Sequence, residues 1–137
     1  MSDGSKPGAV ADVVSPDVSV RSLMKWPVGM VETTATVREC AESLVDDELG
    51  ALAVVDNDVL LGVVAERDVV RQVAADADLE ETEARDFMSF DPVTTTPDAT
   101  AGEALALMRD AAVRHLPVLD EGELVGFVSI RDLVARP

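Results

Sequence analysis

Gly126-Phe127-Val128-Ser129-Ile130-Arg131-Asp132 and its partial copy Gly62-Val63-Val64-Ala65-Glu66-Arg67-Asp68 decide how the chain is read. Both run from an apolar, strand-like stretch through a polar turn into an apolar stretch of helical period. A glycine there permits close backbone approach. A hydroxyl, a guanidinium and a carboxylate within four residues suit a sugar and a phosphate at a helix N-terminus. The same Ser129-x-x-Asp132 spacing also fits a plain helix capping box. These seven residues alone leave both readings open.

Working outward, the two copies lie 64 residues apart, and the register extends without gaps. It pairs Arg21 with Arg85, Met24 with Met88, Thr36 with Thr100, Glu39 with Glu103, Leu52 with Leu116, Asp56 with Asp120 and Asp68 with Asp132. Each copy has a short helical lead (Val20–Met24; Ala84–Met88) and a turn marked by Pro27 or Pro92. A Thr-rich extended stretch follows, at Val31–Thr34 and Val93–Thr96. Thr36-x-x-Glu39 and Thr100-x-x-Glu103 are capping boxes, and each opens a helix. Apolar residues then recur at helical spacing, Val37, Cys40, Ala41 and Leu44 in one copy and Ala101, Ala104, Leu105 and Met108 in the other. Two strands come next, Leu52–Val55 and Leu60–Val64, then Leu116–Leu119 and Leu124–Val128, joined by polar hairpin turns. A last helix starts near Arg67 and again near Arg131. The expected class is α/β (α+β), built as β-α-β-β-α twice. The expected division is a flexible tail over 1–17, a first repeat over 18–75, an acidic linker over 76–83 and a second repeat over 84–137.

The 137 residues are 47% apolar, enough for a core. No apolar run is long enough to span a bilayer, and the first residues lack the pattern of a signal peptide, so a cytoplasmic protein is expected. The single cysteine, Cys40, excludes an internal disulfide framework and a cysteine-based zinc cage. A net charge of −16 disfavours nucleic acid and anionic membranes as partners. Carboxylates spread along the chain, with only Lys6 and Lys25 as lysines, resemble the composition of proteins from salt-loving archaea. In molar salt a Debye length of about 3 Å would screen that charge.

The doubled plan resembles a tandem pair of cystathionine-β-synthase (CBS) domains. The residues that carry the resemblance are Pro92–Thr100, Arg114-His115-Leu116-Pro117-Val118-Leu119-Asp120 and the Gly-x-x-Ser/Thr-x-x-Asp motif at Gly126–Asp132. It covers about residues 18 to 137. It implies two repeats packed about a pseudo-twofold axis and a regulatory binding module rather than an enzyme. Two clefts would take an adenosine-containing ligand such as AMP, ADP, ATP or S-adenosylmethionine, with no required cofactor and no metal. By the same resemblance Asp132 would accept from both ribose hydroxyls, suiting its two acceptor oxygens. Ser129 would hold phosphate and Arg131 would add charge. Thr94 and Thr96 would line the adenine pocket, the backbone near His115 and Leu116 would close it, and the side chain of Arg114 or His115 would reach the phosphate of either cleft.

The first copy departs from the motif. Ala65 stands in the place of Ser129, Glu66 in that of Ile130 and Glu32 in that of Thr96, while Arg67 and Asp68 are kept. Ala65 cannot cap, yet the aspartate is retained, which favours a ligand role for both aspartates. The Asp132 cleft is expected to be the better nucleotide site, and the Asp68 cleft weak or suited to a ligand without phosphate. One histidine and no nucleophile motif leave catalysis few candidates. The resemblance also implies a homodimer, with Val69, Val70, Val73, Leu133 and Val134 as contributors, and a signal passed to an effector on a separate chain. The alternative is a structural dimerisation and interaction module that binds no ligand.

Overall fold

The structure is a computed structural model and describes residues 14–46 and 49–134. The expected tail up to residue 13, Asp47 and Glu48, and residues 135–137 lie outside the described residues.

A single 3-10 turn, Val20–Ser22, leads into β1 (Met30–Glu32), α1 (Val37–Asp46), β2 (Ala51–Asp56), β3 (Val59–Ala65) and α2 (Glu66–Ala74). The second half repeats the order with α3 (Ala84–Phe87), β4 (Ser89–Phe90), α4 (Ala101–Ala111), β5 (His115–Asp120), β6 (Glu123–Ser129) and a 3-10 turn at Ile130–Leu133. This is the expected mixed α+β duplication, with two departures.

The stretch Val93–Thr96 forms no strand. Only Thr95 bridges Val118, because Pro97 lacks an N–H and Ala99, two residues on, turns back onto Thr96. The last element of the second half is one 3-10 turn, and Val134 is already extended, whereas α2 runs nine residues.

Both capping boxes form. Thr36 Oγ1 accepts from the Glu39 N–H and Thr100 Oγ1 from the Glu103 N–H, each at 3.1 Å, and each glutamate returns to the threonine N–H at 2.9 Å. From these caps α1 buries Val37, Cys40 and Leu44, and α4 buries Ala101, Ala104 and Met108. β2 is buried along Ala51–Val55, the continuous apolar run of a strand covered on both faces. Burial raises the Cys40 thiol pKa to about 11, with Glu39 adding to it, so Cys40 is core rather than nucleophile.

The two leads are exchanged between the halves. Val20, in the lead of the first half, packs with Ala101, Ala104, Met108, Leu116, Val118, Val128 and Leu133 of the second. Ala84, in the lead of the second half, packs with Cys40, Leu44, Leu52, Val54 and Val64 of the first. The backbone bonds come in matching pairs. Val20 N–H donates to Ala99 as Ala84 N–H does to Ala35, and Arg21 donates to Pro97 as Arg85 does to Thr33. Ala101 donates to Val18 as Val37 does to Thr82. Each pair is related by the same 64-residue shift with the roles of the halves swapped, the signature of a pseudo-twofold axis.

Sheet order follows from the exchange. β1, β2 and β3 form one sheet, with β1 parallel to β2, and β4 from the other half closes its far edge against β3. The second sheet pairs β5 with β6, flanked by single bridges at Thr95–Val118 and Lys25–Phe127.

Residues read as tail and linker make corresponding contacts. Val14 N–H donates to Leu133 and Gly102 N–H to Pro16, while Arg38 N–H donates to Leu79. Val14–Asp17 are therefore docked on the second half rather than loose.

Candidate functional site

Gly126 is not in a turn. It lies within β6, where an added Cβ would sit 2.9 Å from the Lys25 carbonyl oxygen and 3.1 Å from Met24 Sδ. Gly62 within β3 faces Met88 and the Ser89 carbonyl in the same way. The glycine of the motif thus admits the crossing lead from the other half. Lys25 and Phe127 then exchange two backbone hydrogen bonds, at 2.8 and 3.1 Å. That fixes Lys25 over the end of β6, where the Ser129-x-x-Asp132 segment turns.

The Asp132 side chain is only 6% exposed. Its Oδ2 accepts from the Ser129 N–H at 2.7 Å and from Ser129 Oγ at 3.0 Å. Its Oδ1 accepts from Lys25 Nζ at 2.7 Å, and that lysine side chain is 74% exposed. The carboxylate lines a crevice of about 540 Å³, within the range of small-molecule sites.

The crevice walls come from both halves: Lys25–Gly29 without Trp26, Leu44 and Val45 of α1, Leu49–Ala51 and Glu66 from the first, and Arg114, His115 and Phe127–Asp132 without Val128 from the second. Three cations (Lys25, Arg114, Arg131) face two carboxylates (Glu66, Asp132) among the described residues. In a chain of net charge −16 this is a locally basic hollow. The His115 ring packs against Gly50 across the axis. Its pKa is lowered chiefly by burial, with Arg131 and Arg114 adding to that and Glu66 and Asp132 opposing it. No group of three or more potential metal ligands is gathered among the described residues.

The CBS domain model matches residues 20–75 and again 84–136. The chain belongs to the CBS domain family. The CBS domain-containing protein YhcV of Bacillus subtilis is 31% identical over 118 residues, 86% of this chain and 84% of its own length. The solved CBS domain protein PAE2072 from Pyrobaculum aerophilum, complexed with AMP, is 33% identical with a TM-score of 0.79, covering 85% of this chain and 90% of that one. The CBS domain pair of protein MJ0100, in complex with 5-methylthioadenosine and S-adenosyl-L-methionine, shares the fold at 20% identity and a TM-score of 0.77, covering 85% of this chain and 93% of that one.

Of the residues expected to carry a ligand, this CBS pair brings Asp132, Ser129, Arg131, Arg114 and His115 together around the crevice. It places Thr94, Thr96, Leu116, Arg67 and Asp68 outside it. The exchange of leads is the reason: Pro27–Gly29, ahead of β1, fill the position by Asp132, whereas Thr94 and Thr96 flank the bridge of Thr95 to β5. Leu116 is fully buried in the core. Glu66, which replaces Ile130 in the first copy of the motif, also lines the Asp132 crevice.

Asp68 accepts from the Ala65 N–H at 2.8 Å, with Arg71 at 3.9 Å from its other oxygen. The retained aspartate therefore caps the backbone of α2 without help from a serine. Its retention beside Ala65 is explained by capping and does not by itself point to a ligand. Lys25 was missed altogether. Its signal was present in the sequence: one of two lysines, two residues before the proline-marked turn.

Proposed function

We propose that this CBS pair is a regulatory module that binds an adenosine-containing ligand in the crevice at Asp132 and passes its occupancy to a partner on another chain. One observation carries the reading: a carboxylate almost wholly withdrawn from solvent stands at the edge of an open crevice that Lys25, Arg114 and Arg131 also line. A carboxylate accepts from sugar hydroxyls, and the cations suit a phosphate attached to that sugar. AMP or ATP fits this charge pattern better than S-adenosylmethionine, whose sulfonium adds a positive charge. The AMP complex of the Pyrobaculum relative supports the same class. No required cofactor, metal or catalytic step belongs to this reading. Signalling would follow from differential affinity of the ligand for two arrangements of the halves.

Melting curves in concentrated KCl test it. A ligand at about 100 times its Kd stabilises by about 2.7 kcal/mol. AMP or ATP should raise the melting temperature, and Asp132→Asn should remove the rise while Asp68→Asn leaves most of it. No rise with AMP, ATP or S-adenosylmethionine at millimolar concentration refutes the reading.

The second reading, an interaction module, is favoured by exposed valines on the helices. Val70 and Val73 are open to solvent, whereas the exposed Val45 lines the crevice. The α2 valines suit a homodimer built on that helix. Leu133 cannot contribute, being 1% exposed in the core, and Val69 packs against the first-half cluster.

A further inference from the structure

A carboxylate has about four lone-pair positions, two on each oxygen. At Asp132 three are taken: the Ser129 N–H and hydroxyl fill Oδ2, and Lys25 Nζ holds one position of Oδ1. One position remains. A vicinal diol that donates both hydroxyls to this carboxylate needs two. Something must leave, and the contacts differ in how readily they part. The Ser129 contacts are local and part-buried, one made by the backbone N–H that starts the turn and one by the hydroxyl of the same residue. Lys25 comes from the other half on a long side chain, 74% exposed, and its ammonium can be rehydrated at once.

We propose that Lys25 is a latch on the Asp132 site. In the empty crevice it satisfies a buried carboxylate that would otherwise stand unpaired. It gives up Oδ1 when a diol donates both hydroxyls to that oxygen. Lys25 is then the residue that sets how strongly the crevice distinguishes a ribonucleotide from its 2′-deoxy form. With the latch closed a single hydroxyl finds its place and the second does not, so part of the advantage of the second hydroxyl is spent on displacing the lysine. The backbone pairing of Lys25 with Phe127 keeps the latch tied to the relative position of the two halves. Opening it therefore removes one bond that holds them in register.

The inference rests on the ligand reading above, and the experiment separates the two. AMP and 2′-deoxy-AMP are titrated calorimetrically into the wild-type protein, Lys25→Met and Lys25→Arg. Loss of phosphate pairing in Lys25→Met affects both nucleotides alike, so the ratio of their Kd values reports the diol alone. With an ion pair of this exposure, the preference for AMP should rise about fivefold in Lys25→Met. Lys25→Arg should stay near the wild-type ratio. A ratio equal in wild type and Lys25→Met, with both nucleotides binding, overturns the latch and leaves the ligand reading intact. Absence of binding by either nucleotide to any of the three proteins overturns both.

Discussion

Replacing Gly126 by alanine probes the feature on which both the exchanged leads and the crevice depend. The new Cβ would meet the Lys25 carbonyl oxygen at 2.9 Å and Met24 Sδ at 3.1 Å. The sulfur can move, but the carbonyl belongs to backbone that is hydrogen-bonded to β6 on both sides. Over-packing of this kind costs about 1–3 kcal/mol. Alanine recovers about 0.4–1 kcal/mol by restricting the unfolded chain, since the backbone here is compatible with it. The net loss is then about 1–2 kcal/mol, or about 4–8 °C in melting temperature for a domain of this size. Circular dichroism in concentrated KCl measures that loss. Trp26 provides a local signal, because it follows Lys25 directly, is 59% exposed and is the sole tryptophan. Its emission should change in the folded variant as the lead lifts from β6. Gly122→Ala makes an informative comparison: nothing crowds its Cβ, and its penalty comes only from a φ of +85°. It should destabilise without altering the Trp26 signal. A Gly126→Ala protein that melts at or above the wild-type temperature, with unchanged emission, would refute the close-approach argument.

Two further predictions concern charge. With a net charge of −16 over 137 residues, the melting temperature should climb steadily from about 0.1 M to about 1 M KCl as self-repulsion is screened, and a flat profile would refute that account. His115 titrates with a depressed pKa because burial penalises its cation. The unfolded chain, with a histidine pKa of about 6.5, then binds the proton more readily than the folded one. Stability should fall as pH drops below that value, and the fall should flatten in His115→Gln. An equal pH slope in the two proteins from pH 7 to pH 5.5 would show that other groups govern it.

The duplication was legible because its two capping boxes and four hairpin strands are local patterns. Thr36 and Glu39, or Thr100 and Glu103, need only each other to start a helix. The destination of the leads was not legible. Val20 and Ala84 are small apolar residues that would bury equally well in either half, and nothing local chooses between the two. That choice decides which segment faces Asp132. Five expected residues therefore gathered at the crevice, while Thr94 and Thr96 did not and Lys25 was overlooked. The Ser129–Asp132 pair illustrates a deeper ambiguity. The same carboxylate caps its own backbone and faces the crevice, so capping and ligand binding were never exclusive alternatives.

The exchange of leads has a consequence for the integrity of the molecule. A cut in the connecting segment near residue 77 would not release two independent lobes, because each would still hold a piece of the other's interior. An isolated lobe would carry one unfilled groove and one dangling arm, and a second copy of the same lobe offers both complements. Such a fragment is built to clasp its twin.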